Sequence, residues 1–230
     1  MKIAVISDIH SNLEAFEAVI SSLPEHDELV CLGDIVGYGP QPNEVVERLQ
    51  QLRPSSVLMG NHDYAVATGD TEGFSPHAAE AVDWTRMKIR PENQNYLANL
   101  RPSTRLERNG KRLALFHGSP REPLTEYVFP GIPQVKARGM VEGGGVDIML
   151  LGHTHMPMLY AFDSKIIGNP GSVGQPRDGD SRASFAILSV VEERISFEIK
   201  RVDYNVDRVS EKIIQAGLPR FLADRLYSGM

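Results

Sequence analysis

The chain carries an ordered series of short polar blocks: Asp8-x-His10, Gly33-Asp34, Gly60-Asn61-His62-Asp63, His117-Gly118 and Gly152-His153-Thr154-His155. Five of the seven histidines fall within it. The donors are carboxylates, imidazoles and one amide. Such oxygen and nitrogen ligands suit Mn²⁺, Fe²⁺, Zn²⁺, Ni²⁺ or Co²⁺ rather than thiolate-loving Cu(I). They are too many for one tetrahedral ion and about enough for two ions sharing a bridge. Each block alone has an ordinary reading. Asp8 and His10 would cap a helix. Asp34 would be a turn residue after a strand, and Asn61-His62-Asp63 an exposed loop. His117 would be a satisfied strand-end histidine, and His153 and His155 would share a strand face by coincidence. The set, not any member, points to metal chemistry.

The elements that must position these blocks are legible as hydrophobic runs. Lys2–Ser7, Glu28–Leu32, Ser55–Met59, Arg112–Phe116 and Val146–Leu151 read as strands, each running into one of the blocks. Helices are expected over Leu13–Leu23, Asn43–Leu52, Pro76–Met87, Pro91–Leu100 and Pro133–Val141. The first is capped by Ser11 or Asn12 and buries Leu13, Phe16, Ile20 and Leu23 on one face. Strand, loop and helix in alternation predict βαβ units and a mainly parallel sheet, whose ligands bind beyond the carboxyl ends of the strands. After His155 the pattern changes. Met158–Phe162, Lys165–Ile167, Ala183–Val190 and Arg194–Val202 read as antiparallel strands. Val206–Tyr227 reads as two helices broken near Gly217-Leu218-Pro219. No repeat, low-complexity stretch or linker divides residues 1–230, which read as one domain.

In this order the blocks resemble the calcineurin-like metallophosphoesterase superfamily, whose pattern is D-x-H, G-D-x-x-D, G-N-H-D/E, H and G-H-x-H. Gly33–Gly39 and Asn169-Pro170-Gly171-Ser172-Val173 are similar to segments of its small bacterial and archaeal phosphodiesterase-like members. The resemblance implies a four-layer αββα sandwich, α/β in class, with two central mixed sheets flanked by helices. It implies that Asp8, His10, Asp34 and His155 hold one divalent metal and Asp34, Asn61, His117 and His153 a second, Mn²⁺ being favoured. His62 would touch a phosphate oxygen or protonate the leaving group, with Asp63 orienting it. The activity implied is phosphodiester hydrolysis by in-line attack of a metal-bridging hydroxide. A phosphomonoesterase or a dinucleoside polyphosphate hydrolase is the alternative on the same site. One departure stands out: Gly37 replaces the second aspartate of G-D-x-x-D, and Tyr38 follows where protein phosphatases carry a phosphate-gripping arginine. Arg177 or Asn12 would supply that contact instead.

Composition bounds the partners. The net charge of −6 provides no overall positive field for a nucleic-acid backbone. A small phosphorylated substrate is expected, a nucleotide among the candidates, and no nucleic-acid polymer or membrane. A nuclease of this superfamily would need an added DNA-binding domain, and a scaffold member would have lost key histidines. Oligomeric state leaves no signal. One cysteine, Cys31, rules out an intramolecular disulfide and reads as buried packing. Met1–Ser7 lacks the pattern of a signal peptide and no apolar run is long enough to span a membrane, so a cytoplasmic chain is expected. Phe74 and Trp84 read as core, and Tyr127 and Phe129 lie in a loop that either covers the cleft or makes a surface excursion.

Overall fold

A computed structural model describes residues 1–192 and 194–230. Two five-stranded sheets stack face to face. The first has the order β10-β9-β1-β2-β3, from β1 (Lys2–Ile6), β2 (Glu28–Cys31), β3 (Ser56–Val57), β9 (Ala183–Val191) and β10 (Arg194–Val202). The second has the order β4-β5-β6-β8-β7, from β4 (Ser103–Arg108), β5 (Lys111–Phe116), β6 (Ile148–Leu150), β7 (Met158–Phe162) and β8 (Lys165–Asn169).

Alternation along the strands builds the layers. Ile3 and Val5 of β1 and Val30 of β2 face the second sheet and pack on Leu113, Leu115, Ile148 and Leu150. Ala4, Ile6 and Cys31 face the other way, onto helices α1 (Leu13–Ser22) and α2 (Pro42–Leu52), through Phe16, Val19, Val45 and Leu49. Ala114, Met149 and Ile167 on the outer face of the second sheet meet Ala137 and Val141 of α6 (Gln134–Gly143). The result is helix, sheet, sheet, helix. Central strands buried on both faces explain why they read as unbroken apolar runs. Cys31 lies in this core with its thiol pushed up by burial.

The mainly parallel sheet predicted from the alternation becomes two mixed sheets. β1, β2 and β3 run parallel, as do β5, β6 and β8, while β9, β10, β4 and β7 pair antiparallel. The hairpins β7–β8 and β9–β10 belong to different sheets. Two elements escaped the sequence reading. β4 is a polar, half-exposed edge strand, Ser-Thr-Arg-Leu-Glu-Arg, with one partner and little apolar signal. Helix α3 (Asn61–Thr68) begins on the block read as a loop, and its apolar residues barely favour one face.

Helices α4 (Pro76–Lys88) and α5 (Pro91–Ala98) fall where expected. α7 (Val206–Gln215) and α8 (Arg220–Ser228) form a pair whose Val209, Ile213, Leu222 and Leu226 pack with Ala81 of α4. Among the described residues no helix is long and apolar enough to cross a membrane.

Candidate metal centre

The polar blocks converge at one end of both sheets. Asp8 and His10 follow β1, Asp34 follows β2, and Asn61 and His62 follow β3 in the first sheet. His117 follows β5, His153 and His155 follow β6, and Arg177 follows β8 in the second. The loops are stitched together by their backbones: Asp8 N–H donates to Gly33 O at 2.9 Å, His10 N–H to Asp34 O at 3.0 Å, Gly152 N–H to His117 O at 2.9 Å and Gly174 N–H to Asp8 O at 2.9 Å. Asp8, His10, Asp34, His153 and His155 all adopt positive φ, between 51° and 66°. Aspartate and histidine tolerate this region better than most side chains. The same residue types thus serve both the sharp turns and the donor set.

Two groups of donors form, each with its ligand atoms within 4.8 Å of one another: Asp8, His10, Asp34 and His155, and Asp34, His117 and His153. Asp34 belongs to both. Its Oδ2 lies 3.4 Å from His10 Nε2 and 3.5 Å from His117 Nε2. Asn61 Oδ1 sits 3.2 Å from His117 Nε2, beside the second group.

The donor chemistry fits divalent cations. Nδ1 of His10, His117 and His155 faces the backbone carbonyls of Val36 (3.1 Å), Leu32 (2.8 Å) and Gln175 (2.6 Å). A carbonyl accepts only, so each Nδ1 carries a proton; His10 and His155 are neutral and turn an Nε2 lone pair inward, whereas His117 in the metal-free site also keeps a proton on Nε2 that faces Asp34. His10 and His155 aim their lone pairs at each other, Nε2 to Nε2 at 3.0 Å. Asp8 Oδ1 is buried beside them without a hydrogen-bond partner. Among the described residues no lysine or arginine pairs with Asp8 or Asp34. Buried carboxylates and facing lone pairs without a counter-cation are costly, and a cation between them removes the cost.

The electrostatics agree. Burial pushes the Asp8 carboxyl up to about 7, against the pull of His117 and with Asp34 adding to the rise. Burial opposes ionisation of Asp34 too, but the attraction of His117, which this carboxylate raises to about 9 against the cost of burial, and a hydrogen bond from it outweigh that and hold Asp34 well below the usual range. Burial holds His10 and His155 neutral and lowers His153 to about 3. Neutral imidazoles at His10, His153 and His155 and an ionised Asp34 are the forms that ligate, and a cation would displace the extra proton of His117.

His62 lies beside this centre. Its backbone N–H donates to Asp34 Oδ1 at 2.8 Å, and its ring stands 4.9 Å from His10, 4.3 Å from Tyr38 and 4.8 Å from Phe74. Burial lowers its pKa to about 4. Gly37, with φ of 91°, lies against the same ring: a Cβ there would fall 2.4 Å from His62 Nδ1. The glycine at the position of the pattern's second aspartate therefore has a steric reason. Tyr38 carries the Arg177 guanidinium on its ring at 5.6 Å and its OH accepts from Arg177 Nη2 at 3.3 Å. A cation thus reaches the place where an arginine was expected, from a different loop.

Two expected roles need correction. Asp63 does not meet the His62 ring. Its Oδ1 accepts from Ile35 N–H at 2.9 Å and Val36 N–H at 3.1 Å, and its Oδ2 from Gly60 N–H at 2.9 Å. It fixes the Asp34 loop to the start of α3, and any effect on His62 passes through the backbone. Asn12 is likewise spent inside the fold. Its Oδ1 accepts from Ala15 N–H as the cap of α1, and its Nδ2 donates to Gly174 O at 2.9 Å. Asp63→Ala leaves three buried amide N–H donors without their carboxylate acceptor, so a loss of about 3 kcal/mol in urea unfolding is expected. An unchanged midpoint would contradict this tethering role.

Sequence reasoning also left neighbours unplaced. Tyr127 stacks on His153 at 3.8 Å, so its loop does cover part of the centre. Phe74, read as core, also faces His62, whereas Trp84 packs in the interior and donates Nε1–H to Ala216 O. Asn169 accepts from Gly171 N–H and donates to Gly152 O and Thr154 Oγ1, bracing the His153 loop from the Asn-Pro-Gly-Ser segment. Arg225 of α8 lines the same cavity as His62 and Arg177. No local pattern marks it, because its place depends on how α8 folds back.

The chain has relatives among known proteins. An uncharacterized protein of Methanocaldococcus jannaschii is 38% identical, covering 99% of this chain and 98% of its own. The phosphodiesterase YfcE of Escherichia coli strain K12 is 25% identical over 82% of this chain and 87% of its own. The crystal structure of a metallophosphoesterase from Sphaerobacter thermophilus superposes with a TM-score of 0.85 at 36% identity, covering 100% of this chain and 99% of that one. The family model of the calcineurin-like phosphoesterase superfamily domain matches residues 1–193, and the chain belongs to that superfamily of metal-dependent hydrolases.

Proposed function

We propose that the chain is a cytoplasmic, dinuclear-metal phosphodiesterase acting on a small phosphorylated metabolite of the nucleotide class. The observation that carries this reading is the single Asp34 oxygen placed between two donor groups, next to a cavity of about 290 Å³ that His62 and Arg177 line. That volume lies near the lower end of small-molecule sites, about 300–1,000 Å³. It suits a phosphate with a modest substituent better than a polymer. A relative named as a phosphodiesterase supports the diester class.

Two divalent cations, Mn²⁺ by preference, would be held by Asp8, His10, Asp34 and His155 and by Asp34, Asn61, His117 and His153. When bound they acidify water and neutralise phosphoryl oxygens. The chain's own groups do the rest. Val36, Leu32 and Gln175 carbonyls keep the ligand rings in the inward-facing tautomer. Arg177 grips the phosphoryl group with a guanidinium that Tyr38 and Gln175 hold in place. His62 presents a ring N–H to the oxygen that leaves. Water adds to phosphorus, the ester P–O bond breaks, and the departing alkoxide takes a proton. His62 is neutral in the free site, and an arriving phosphate anion favours its protonated form.

The test compares bis-p-nitrophenyl phosphate with p-nitrophenyl phosphate on protein stripped of metal and reloaded with Mn²⁺. Faster diester cleavage is expected, lost on stripping. Preference for the monoester would move the assignment to a phosphomonoesterase. Absence of turnover with every metal would favour a scaffold.

A further inference from the structure

A second cavity, of about 520 Å³, lies between α6, β4 and the loop that covers part of the metal centre. Its volume falls within the range of small-molecule sites, about 300–1,000 Å³. Tyr127 is a wall of both this cavity and the one beside His62. The same loop meets the centre twice: Tyr127 stacks on His153 at 3.8 Å, and Thr125 O faces His153 Nε2 at 3.1 Å. No residue of either donor group lines the second cavity.

Its lining is apolar in depth and cationic at the surface. Val128 is buried, Ile132 and Met140 are partly so, and Arg105, Arg121 and Lys136 are exposed. These three cations stand against one carboxylate, Glu126, which is already engaged. Ser119 Oγ–H and Arg121 Nη2 donate to it, and Arg121 Nε reaches Oε2 at 3.3 Å. Arg105 Nη1 donates to the main-chain oxygen of Gly144 at 2.8 Å, a neutral acceptor. Lys136 is near enough to pull on Glu126 but makes no hydrogen bond or salt bridge among the described residues. It stands in the first turn of α6, where the helix dipole disfavours a cation, so its place does not serve the helix. An apolar cavity with surplus positive charge at its edge fits an organic anion, whose body buries apolar surface while its charged group meets the cations.

The walls are held in place by the chain itself. Ser119 Oγ accepts from Arg121 N–H and Glu122 N–H, both at 3.1 Å. Tyr160 OH accepts from Gly131 N–H at 2.9 Å and donates to Ile132 O at 3.0 Å, which pins the other end of the loop to β7. A site built in advance loses little freedom when a ligand enters.

We propose that this cavity binds a small organic anion with a flat or aliphatic body and one phosphate, sulfonate or carboxylate group. The anion is either the end of the substrate remote from the reacting phosphate or a separate molecule. Only the first source rests on the phosphodiesterase reading; the site itself does not.

The test titrates the Mn²⁺-loaded protein by fluorescence with 8-anilinonaphthalene-1-sulfonate and with N-phenyl-1-naphthylamine, the same rings without the sulfonate. One molecule per chain is expected, the anion binding about tenfold tighter, as one charge-assisted contact would give. Lys136→Gln should remove most of that difference, and losing a cation from the first turn does not endanger the helix. Gly139→Phe should abolish binding of both probes, because its ring fills the cavity while a Cβ there meets nothing within 4 Å. Val135→Gln, on the same helix but 79% exposed and outside the cavity, should change neither. Equal affinities for the two probes would overturn the proposal, as would an anion preference that survives Lys136→Gln or binding that survives Gly139→Phe. Hydrolysis of thymidine 5′-(4-nitrophenyl phosphate) then separates the sources. A KM raised about tenfold in Gly139→Phe with kcat kept assigns the site to the far end of the substrate, and an unchanged KM assigns it to a separate molecule. In a protein that cleaves no ester the titrations still decide the site, and only the first source falls with the phosphodiesterase reading.

Discussion

Asp34→Asn is expected to abolish turnover, empty the centre of metal and lower the stability of the metal-free fold. Asp34 Oδ2 stands between the inward nitrogens of His10 and His117. An amide in that place carries no charge to hold either a cation or the extra proton of His117. The substitution also breaks the buried pair of Asp34 with His117, which costs the metal-free fold stability because Asp34 ionises more readily folded than unfolded. The substituted amide still offers a carbonyl oxygen to the His62 N–H, so the loop stays in place. Activity should fall by at least about 10³, the scale of losing a main source of charge stabilisation. Metal content by elemental analysis should drop, and the melting temperature should no longer respond to added Mn²⁺. A variant that still gains stability from Mn²⁺ would show that Asp34 is not the shared ligand.

The second large effect is expected at His62, and it should depend on the leaving group. His62→Ala removes a ring that lines the cavity but belongs to neither donor group. Metal content should therefore be unchanged. Turnover of an alkyl phosphodiester should fall by about 10²–10⁴, the range for a positioned proton donor. p-Nitrophenolate leaves without needing a proton, so the loss on bis-p-nitrophenyl phosphate should be about tenfold smaller. Equal losses on both esters would rule out proton donation to the leaving group and favour a hydrogen bond to the phosphoryl oxygen.

The donor residues were legible because their chemistry is local. Asp8, Asp34, His117 and His153 each end an apolar run, and strand ends in such folds face one way. The roles of Asp63 and Asn12 were not legible. Both are polar and near the centre, but which backbone amides reach them is settled by loops from elsewhere in the chain: Ile35 and Val36 claim Asp63, and Gly174 claims Asn12. Gly37 looked like a missing aspartate until the His62 ring was seen to fill the space of its side chain. β4 escaped because an edge strand with polar faces lacks a two-residue period, and α3 because its first turn is made of the site's own residues. Arg225 required the path of α8, which no short window of sequence contains.

The donors divide between the two sheets, with Asp8, His10, Asp34 and Asn61 on one and His117, His153 and His155 on the other. Any ion they share is thus a cross-link between the layers, set at one end of the seam that Val5, Leu32, Leu115 and Leu150 fill. Chelation would remove that cross-link and leave the layers held there by the loop hydrogen bonds, such as Gly174 N–H to Asp8 O, and by the packed seam. A cavity opened in the seam, as by Leu115→Ala, should consequently be tolerated with metal bound and become severe in a chelator, so that the cost of a mutation far from the centre reports on its occupancy.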